Sequence, residues 1–262
     1  MRNMEKNKIY LMDCMEGLKM LEDNSVDLFL FSPPYNKKGF LGKKTSKNRD
    51  SLWNDVIVYD NYDDDMDEEE YQKWQIELIN LCLKKLKPTG SIFYQHKSRL
   101  KEGMCSFPYD WLKKSNAIVH QEIIWDRKGS SLNINKNKFL PTTEKLFWLT
   151  KSTKGIRFER QGSLGEVWSI AADTSNSHPA PFPIKLAENV IRSVLGSKEM
   201  IAKMGNLLVV DCFMGSGTTA VAAKKWGCDY IGFDMSQKYI DMANARIAST
   251  EPMVEQNNDI WD

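Results

Sequence analysis

Residues 26–36, VDLFLFSPPYN, constrain the fold more tightly than any other stretch of the chain. Five of the six residues from Val26 to Phe31 are apolar, a run too short for an amphipathic helix and dense enough for a strand buried on both faces. A strand of that kind belongs in a sheet covered on both sides by helices, which is α/β architecture. Ser32-Pro33-Pro34 then stops the run abruptly, so a buried strand delivers a rigid polar corner.

The corner has a particular chemistry. Pro33 and Pro34 have no N–H to donate and little freedom in φ, so their carbonyls can be held out as fixed acceptors. They stand beside the Ser32 hydroxyl and the flat ring of Tyr35. Acceptors next to a stacking face suit a planar amine. A plain turn after a strand explains the same four residues, and the rest of the chain has to decide between the two.

Six further strands are expected, at residues 8–12 (KIYLM), 91–95 (SIFYQ), 118–125 (IVHQEIIW), 145–149 (KLFWL), 207–210 (LLVV) and 229–233 (DYIGF). Helices are expected over residues 15–21, 67–86, within 179–196 and over 236–247. The clearest is 67–86, with Asp67 to Glu70 at its start and Lys84, Lys85 and Lys87 at its end, matching the helix dipole at both termini. That explains the acidic run without a metal site. Asp13, at the end of the first strand, sits where open α/β sheets bind ligands, and it also suits a cap for the helix after it.

The second informative unit is residues 206–223, NLLVVDCFMGSGTTAVAA: a buried strand, an acid, a small-residue turn and a helix. Glycines let a backbone approach a ligand closely, and a helix N-terminus presents free N–H groups. Gly215 and Gly217 do not form GxGxxG, and no GK[ST] follows, so neither a dinucleotide fold nor a P-loop is indicated. Asp234 ends the next strand about twenty residues later, positioned to take the two hydroxyls of a ribose. A nucleoside-bearing cofactor follows from these residues independently of SPPY.

Charge points outward from this core. The 262 residues carry a formal net charge of +1, yet residues 60–70 hold eight of the 35 acids and no base. The remainder is 36 basic against 27 acidic, a balance compatible with nucleic acid. Residues 37–65 open as a basic loop expected to be mobile, with Lys37, Lys38, Lys43 and Lys44 among glycines, suited to gripping a phosphate backbone or to a solvated loop. Residues 126–165 form a candidate DNA-recognition insertion, where Arg127, Lys128, Lys136 and Lys138 lie among Asn and Ser, and whose Arg and Asn side chains can read base edges. A plain hairpin extension accounts for it as well.

The five cysteines are odd in number and fall in no CxxC or Cys/His ligand spacing, so no disulfide framework and no metal are expected, and they read as small buried hydrophobes. No run approaches a membrane span and the start lacks a secretory core, which places the expected protein in the cytoplasm, away from membranes.

With SPPY early and FMGSGTT late, the chain resembles the amino-methylating DNA methyltransferases that use S-adenosylmethionine, in the circularly permuted motif order called the beta group. The likeness runs from KIYLMDCMEGL to YIGFDMSQKYIDMANARI and includes HPAPFPIKLAENVI. It implies a Rossmann-like, seven-stranded methyltransferase sheet with helices on both faces, formed by residues 1–262 as a single catalytic domain. It implies that Asp211, Phe213, Gly215, Gly217 and Thr218 line the methionine part of the cofactor, that Asp234 binds its ribose and Asp13 its adenine end, and that His178, Pro179 and Phe182 close the pocket. From residues alone His178 reads as a hydrogen-bonding loop residue. Asp234 stands where many relatives carry Glu.

Double-stranded DNA is the implied partner, with a cognate restriction endonuclease and a second copy of the chain as candidate partners. The catalytic residues implied are Ser32, Pro33, Pro34 and Tyr35: two acceptors for the target amine, and a ring to stack on a flipped base. No Pro-Cys occurs, which argues against methylation of carbon 5 of cytosine. Ser in the first motif position is typical of N4-cytosine enzymes and Asp of N6-adenine enzymes, so N4 of cytosine is expected and N6 of adenine is the alternative. The rival readings are an RNA or protein amide methyltransferase and an inactive DNA-binding regulator.

Overall fold

The computed structural model describes residues 4–36, 66–101, 104–129, 139–173 and 182–252. In chain order these form β1 (Lys8–Leu11), α1 (Cys14–Met20), β2 (Val26–Phe31), α2 (Glu68–Lys85), β3 (Leu86–His96), β4 (Arg99–Lys101), β5 (Met104–Ser106), α3 (Tyr109–Leu112), β6 (Ile118–Asp126), β7 (Thr143–Thr150) and β8 (Val167–Ser169). The second half adds α4 (Ile184–Leu195), α5 (Lys198–Met204), β9 (Leu208–Asp211), α6 (Thr218–Trp226), β10 (Asp229–Asp234) and α7 (Gln237–Ala248).

Eight strands make one sheet in the order β1-β10-β9-β2-β3-β7-β6-β8. The block from β1 to β3 is parallel throughout. β7 runs antiparallel between β3 and β6, and β8 pairs parallel with β6 at the edge. All seven expected strands are present. The eighth, β8, falls outside the strands expected from sequence. Its three residues alternate exposed, buried, exposed, too few for periodicity to register, and the buried Trp168 is what holds them on the sheet. The small β4–β5 hairpin was likewise not foreseen.

β2 is buried at every position, and its side chains alternate between two cores as strand geometry requires. Leu28 and Leu30 join the cluster under α4, α6 and α7. Phe29 and Phe31 join the cluster under α1 and α2. Helix ends follow the expected capping chemistry: Asp67 accepts from Glu69 N and Glu70 N to start α2, and Ser236 accepts from Tyr239 N to start α7. Four cysteines are buried as expected, whereas Cys105, in β5, is exposed. Among the described residues no helix is long and apolar enough to cross a membrane.

The parallel block sets out the site. It brings the carboxyl ends of β1, β10, β9, β2 and β3 to one edge, and the reversed β7 contributes its first residues to that same edge. β7 falls inside residues 126–165, so the β6–β7 connection proper is residues 127–142.

Candidate active site

Two corners meet at this edge because β2 and β9 are hydrogen-bonded neighbours, with Leu28 beside Val209 and Phe29 beside Val210. Ser32 follows β2 and Asp211 closes β9. Thr219 of α6 links them, donating to Asp211 Oδ2 at 2.6 Å and to Leu30 O at 3.3 Å. The Phe31 and Phe213 rings, 5.9 Å apart, fill the space between.

In the SPPY corner the Ser32 and Tyr35 hydroxyls are 2.8 Å apart. Tyr71 of α2 donates to Pro34 O at 2.8 Å and also meets His96 Nε2 at 2.8 Å. One proline carbonyl is therefore turned inward and used to fix the corner, while the Pro33 carbonyl accepts nothing from the described residues. Tyr35 is only 6% exposed, and its ring rests against His96 with centroids 4.5 Å apart. Asn36 takes the left-handed conformation at φ 53°, which Asn tolerates. Its amide accepts from Met66 N at 2.7 Å and donates to Met66 O at 2.9 Å, so one side chain joins the two ends of residues 37–65.

In the glycine corner Asp211 accepts from Phe213 N at 2.8 Å as well as from Thr219. Burial, reinforced by the nearby Asp234 charge, pushes its carboxyl up to about 7. Asp234 accepts from Gly215 N and Ser236 N, each at 2.8 Å and on different oxygens, and burial raises its carboxyl above the usual range. Each oxygen keeps a second lone pair. Gly215 and Gly217 hold φ of +49° and +82°. Gly217 begins α6 without a side-chain cap, so the helix N-terminus keeps N–H groups for a ligand. Gly217 has a packing task too, because a Cβ there would lie 2.8 Å from Ala243 Cβ of α7.

Arg246 of α7, which the sequence reading gave no role, donates to Ser216 O at 2.5 Å, Ser216 Oγ at 3.0 Å and Thr218 Oγ1 at 3.3 Å. It ties the turn from behind. Asp13 caps α1, accepting from Met15 N and Glu16 N through Oδ1, so the cap expected from sequence is present and Oδ2 stays unengaged among the described residues. Phe182 is buried in the core beside α4.

Sequence reasoning also missed Glu144, the second residue of β7. It is 9% exposed and accepts from Gln95 Nε2 at 2.7 Å and Arg127 Nη1 at 3.0 Å, with the Tyr35 hydroxyl at 3.4 Å. An acid that starts a strand after a polar connection carries no local signal; only the sheet brings it to Tyr35. Arg127, expected at a DNA surface, is thus engaged in an ion pair, whereas Lys128 beside it is exposed with φ 52°. His178, Pro179, Lys37, Lys38, Lys43, Lys44, Lys136 and Lys138 lie outside the described residues.

Comparison with known proteins places this edge in context. The family model described as DNA methylase, for N6 and N4 methyltransferases, matches residues 26–245. The type II methyltransferase M.BglII of Bacillus subtilis is 29% identical over an alignment covering 96% of this chain and 71% of that protein. Among solved structures, the cytosine-N4-specific PvuII DNA methyltransferase superposes with a TM-score of 0.71 at 20% identity, covering 98% of this chain and 89% of its own. The M1.HpyAVI–SAM complex gives 0.60 at 20% identity, covering 92% and 98%. These two share the α/β fold described here. The chain belongs to the N6/N4 DNA methylase family and is a DNA amino-methyltransferase of the cytosine-N4 or adenine-N6 type.

Proposed function

We propose that the chain methylates the exocyclic N4 of cytosine in duplex DNA, with S-adenosylmethionine as donor. The observation that carries this is the meeting of two corners at adjacent strand ends: a Pro33 carbonyl that accepts nothing from the described residues beside the Ser32 hydroxyl, itself paired with Tyr35, and a buried acidic glycine turn next to them. The likeness to the M1.HpyAVI–SAM complex supports the cofactor. Asp211, Phe213, Gly215, Gly217 and Thr218 would hold its methionine part, with Asp234, through its remaining lone pairs, at the ribose and Asp13 Oδ2 at the adenine end. Phe182, with His178 and Pro179, would close the pocket. When bound, it supplies an electrophilic methyl group.

The protein's task is to make a poor nucleophile attack. An exocyclic amine is planar because its lone pair is delocalised into the ring. Ser32 Oγ and the Pro33 carbonyl, accepting its two N–H groups, favour the pyramidal form whose lone pair is free to react. The base must first leave the duplex, and Tyr35, backed by His96, offers a firm ring against it. Ser rather than Asp at position 32 supports cytosine. Lys128, with Lys136, Lys138 and the basic residues of 37–65, would grip the phosphates. Residues 1–262 are read as one catalytic domain, and the type II name of M.BglII supports a restriction-modification setting with a cognate endonuclease; a second copy of the chain is a further proposed partner.

Ser32→Ala tests the mechanism. Methyl transfer should fall about a hundredfold, with calorimetric affinity for S-adenosylmethionine within twofold of wild type. Full activity in the variant would overturn the role of Ser32.

A further inference from the structure

We infer that Glu144 is a positioning residue that sets the direction of the Ser32–Tyr35 hydroxyl pair, so that Ser32 meets the target amine purely as an acceptor. The inference rests on the reading of Ser32 given above.

Two hydroxyls 2.8 Å apart can share their proton in either sense. If Tyr35 donates to Ser32, one Ser32 lone pair is consumed and the Ser32 proton points outward, towards the hydrogens of an incoming amine. If Ser32 donates to Tyr35, both Ser32 lone pairs are left for those hydrogens. A carboxylate only accepts, so a carboxylate beyond Tyr35 selects the second arrangement. Glu144 is that carboxylate. Its Oε2 lies 3.4 Å from Tyr35 OH, long for an O–H···O bond, so the influence comes through its charge and not through tight contact.

The rest of the cluster holds Glu144 in that role. Arg127 Nη1 at 3.0 Å and Lys97 Nζ at 3.8 Å engage Oε1, and Gln95 Nε2 at 2.7 Å engages Oε2. Gln95 comes from β3 and Arg127 follows β6, so the strands on either side of β7 fix the carboxylate from both flanks. A group serving only to tie the strands together would have no reason to face the hydroxyl pair.

Glu144→Gln keeps the shape and removes the charge, and its amide can donate to Tyr35 and reverse the chain. Single-turnover methyl transfer should fall about tenfold, while KM for DNA, calorimetric affinity for S-adenosylmethionine and Tm change little. In a Tyr35→Phe background, where the link is already cut, Glu144→Gln should cost nothing further. A rate within twofold of wild type overturns the inference, and so does an equal loss in the Tyr35→Phe background. Tyr35→Phe alone, which leaves the Glu144–Arg127 pair intact, decides the matter if Glu144→Gln does not fold: it should itself lose about tenfold, and full activity refutes the relay. A wild-type protein that methylates no DNA would instead refute the functional reading.

Discussion

Asp211 shows how much this edge asks of one side chain. Its carboxyl is enclosed, accepts from Thr219 and Phe213, and is pushed up to about 7 by burial first and by Asp234 second. An unfolded Asp titrates near 3.9. Below that value both states hold the proton and the contribution to stability is complete. As pH rises towards 7 the unfolded chain gives up a proton that the folded protein retains, so stability is lost across this window, on the order of a few kcal/mol in all. Asp211→Asn removes the titration while keeping one acceptor for Phe213 N and an amide for Thr219. The gap in Tm between variant and wild type should therefore shift in the variant's favour from pH 5 to pH 8 in thermal melts; a constant gap would show that Asp211 does not titrate there. At this scale the sequence was partly legible. Ser32, Asp211 and Asp234 announce themselves because each ends an apolar run. Glu144 and Arg246 do not, because their partners lie across the sheet or on another helix.

Between elements, the most demanding contact is α6 against α7. Gly217 was read as a place for a ligand to approach the backbone, and the structure adds a packing reason for it: φ is +82° and a Cβ would meet Ala243 Cβ at 2.8 Å. Gly217→Ala combines left-handed strain with overpacking, and should cost about 1–3 kcal/mol in urea unfolding. A change below about 0.5 kcal/mol, the usual size for a neutral surface position, would mean that the helices part easily. α2 was legible to within a residue at each end because acids, an Asp cap and terminal lysines agree. β8 and the β4–β5 hairpin were not, since three-residue strands are held by tertiary contacts and have too short a period to read.

Over the whole molecule, the fold's main act is to join distant parts of the chain. Leu28 and Val209 are register partners, and that pairing alone sets SPPY beside the glycine turn. The two motifs and the chemistry they imply could be named from sequence through the family resemblance, but no local pattern states which strands are neighbours, and the reversed β7 that delivers Glu144 is invisible until the sheet is assembled. The most direct test of the account is to incubate the protein with methyl-labelled S-adenosylmethionine and mixed-sequence duplex DNA, digest to nucleosides and identify the product by mass spectrometry. The account predicts labelled N4-methylcytosine. Labelled N6-methyladenine would contradict the assignment drawn from Ser32, and the absence of any labelled nucleoside from a protein that still binds the cofactor would contradict the account as a whole.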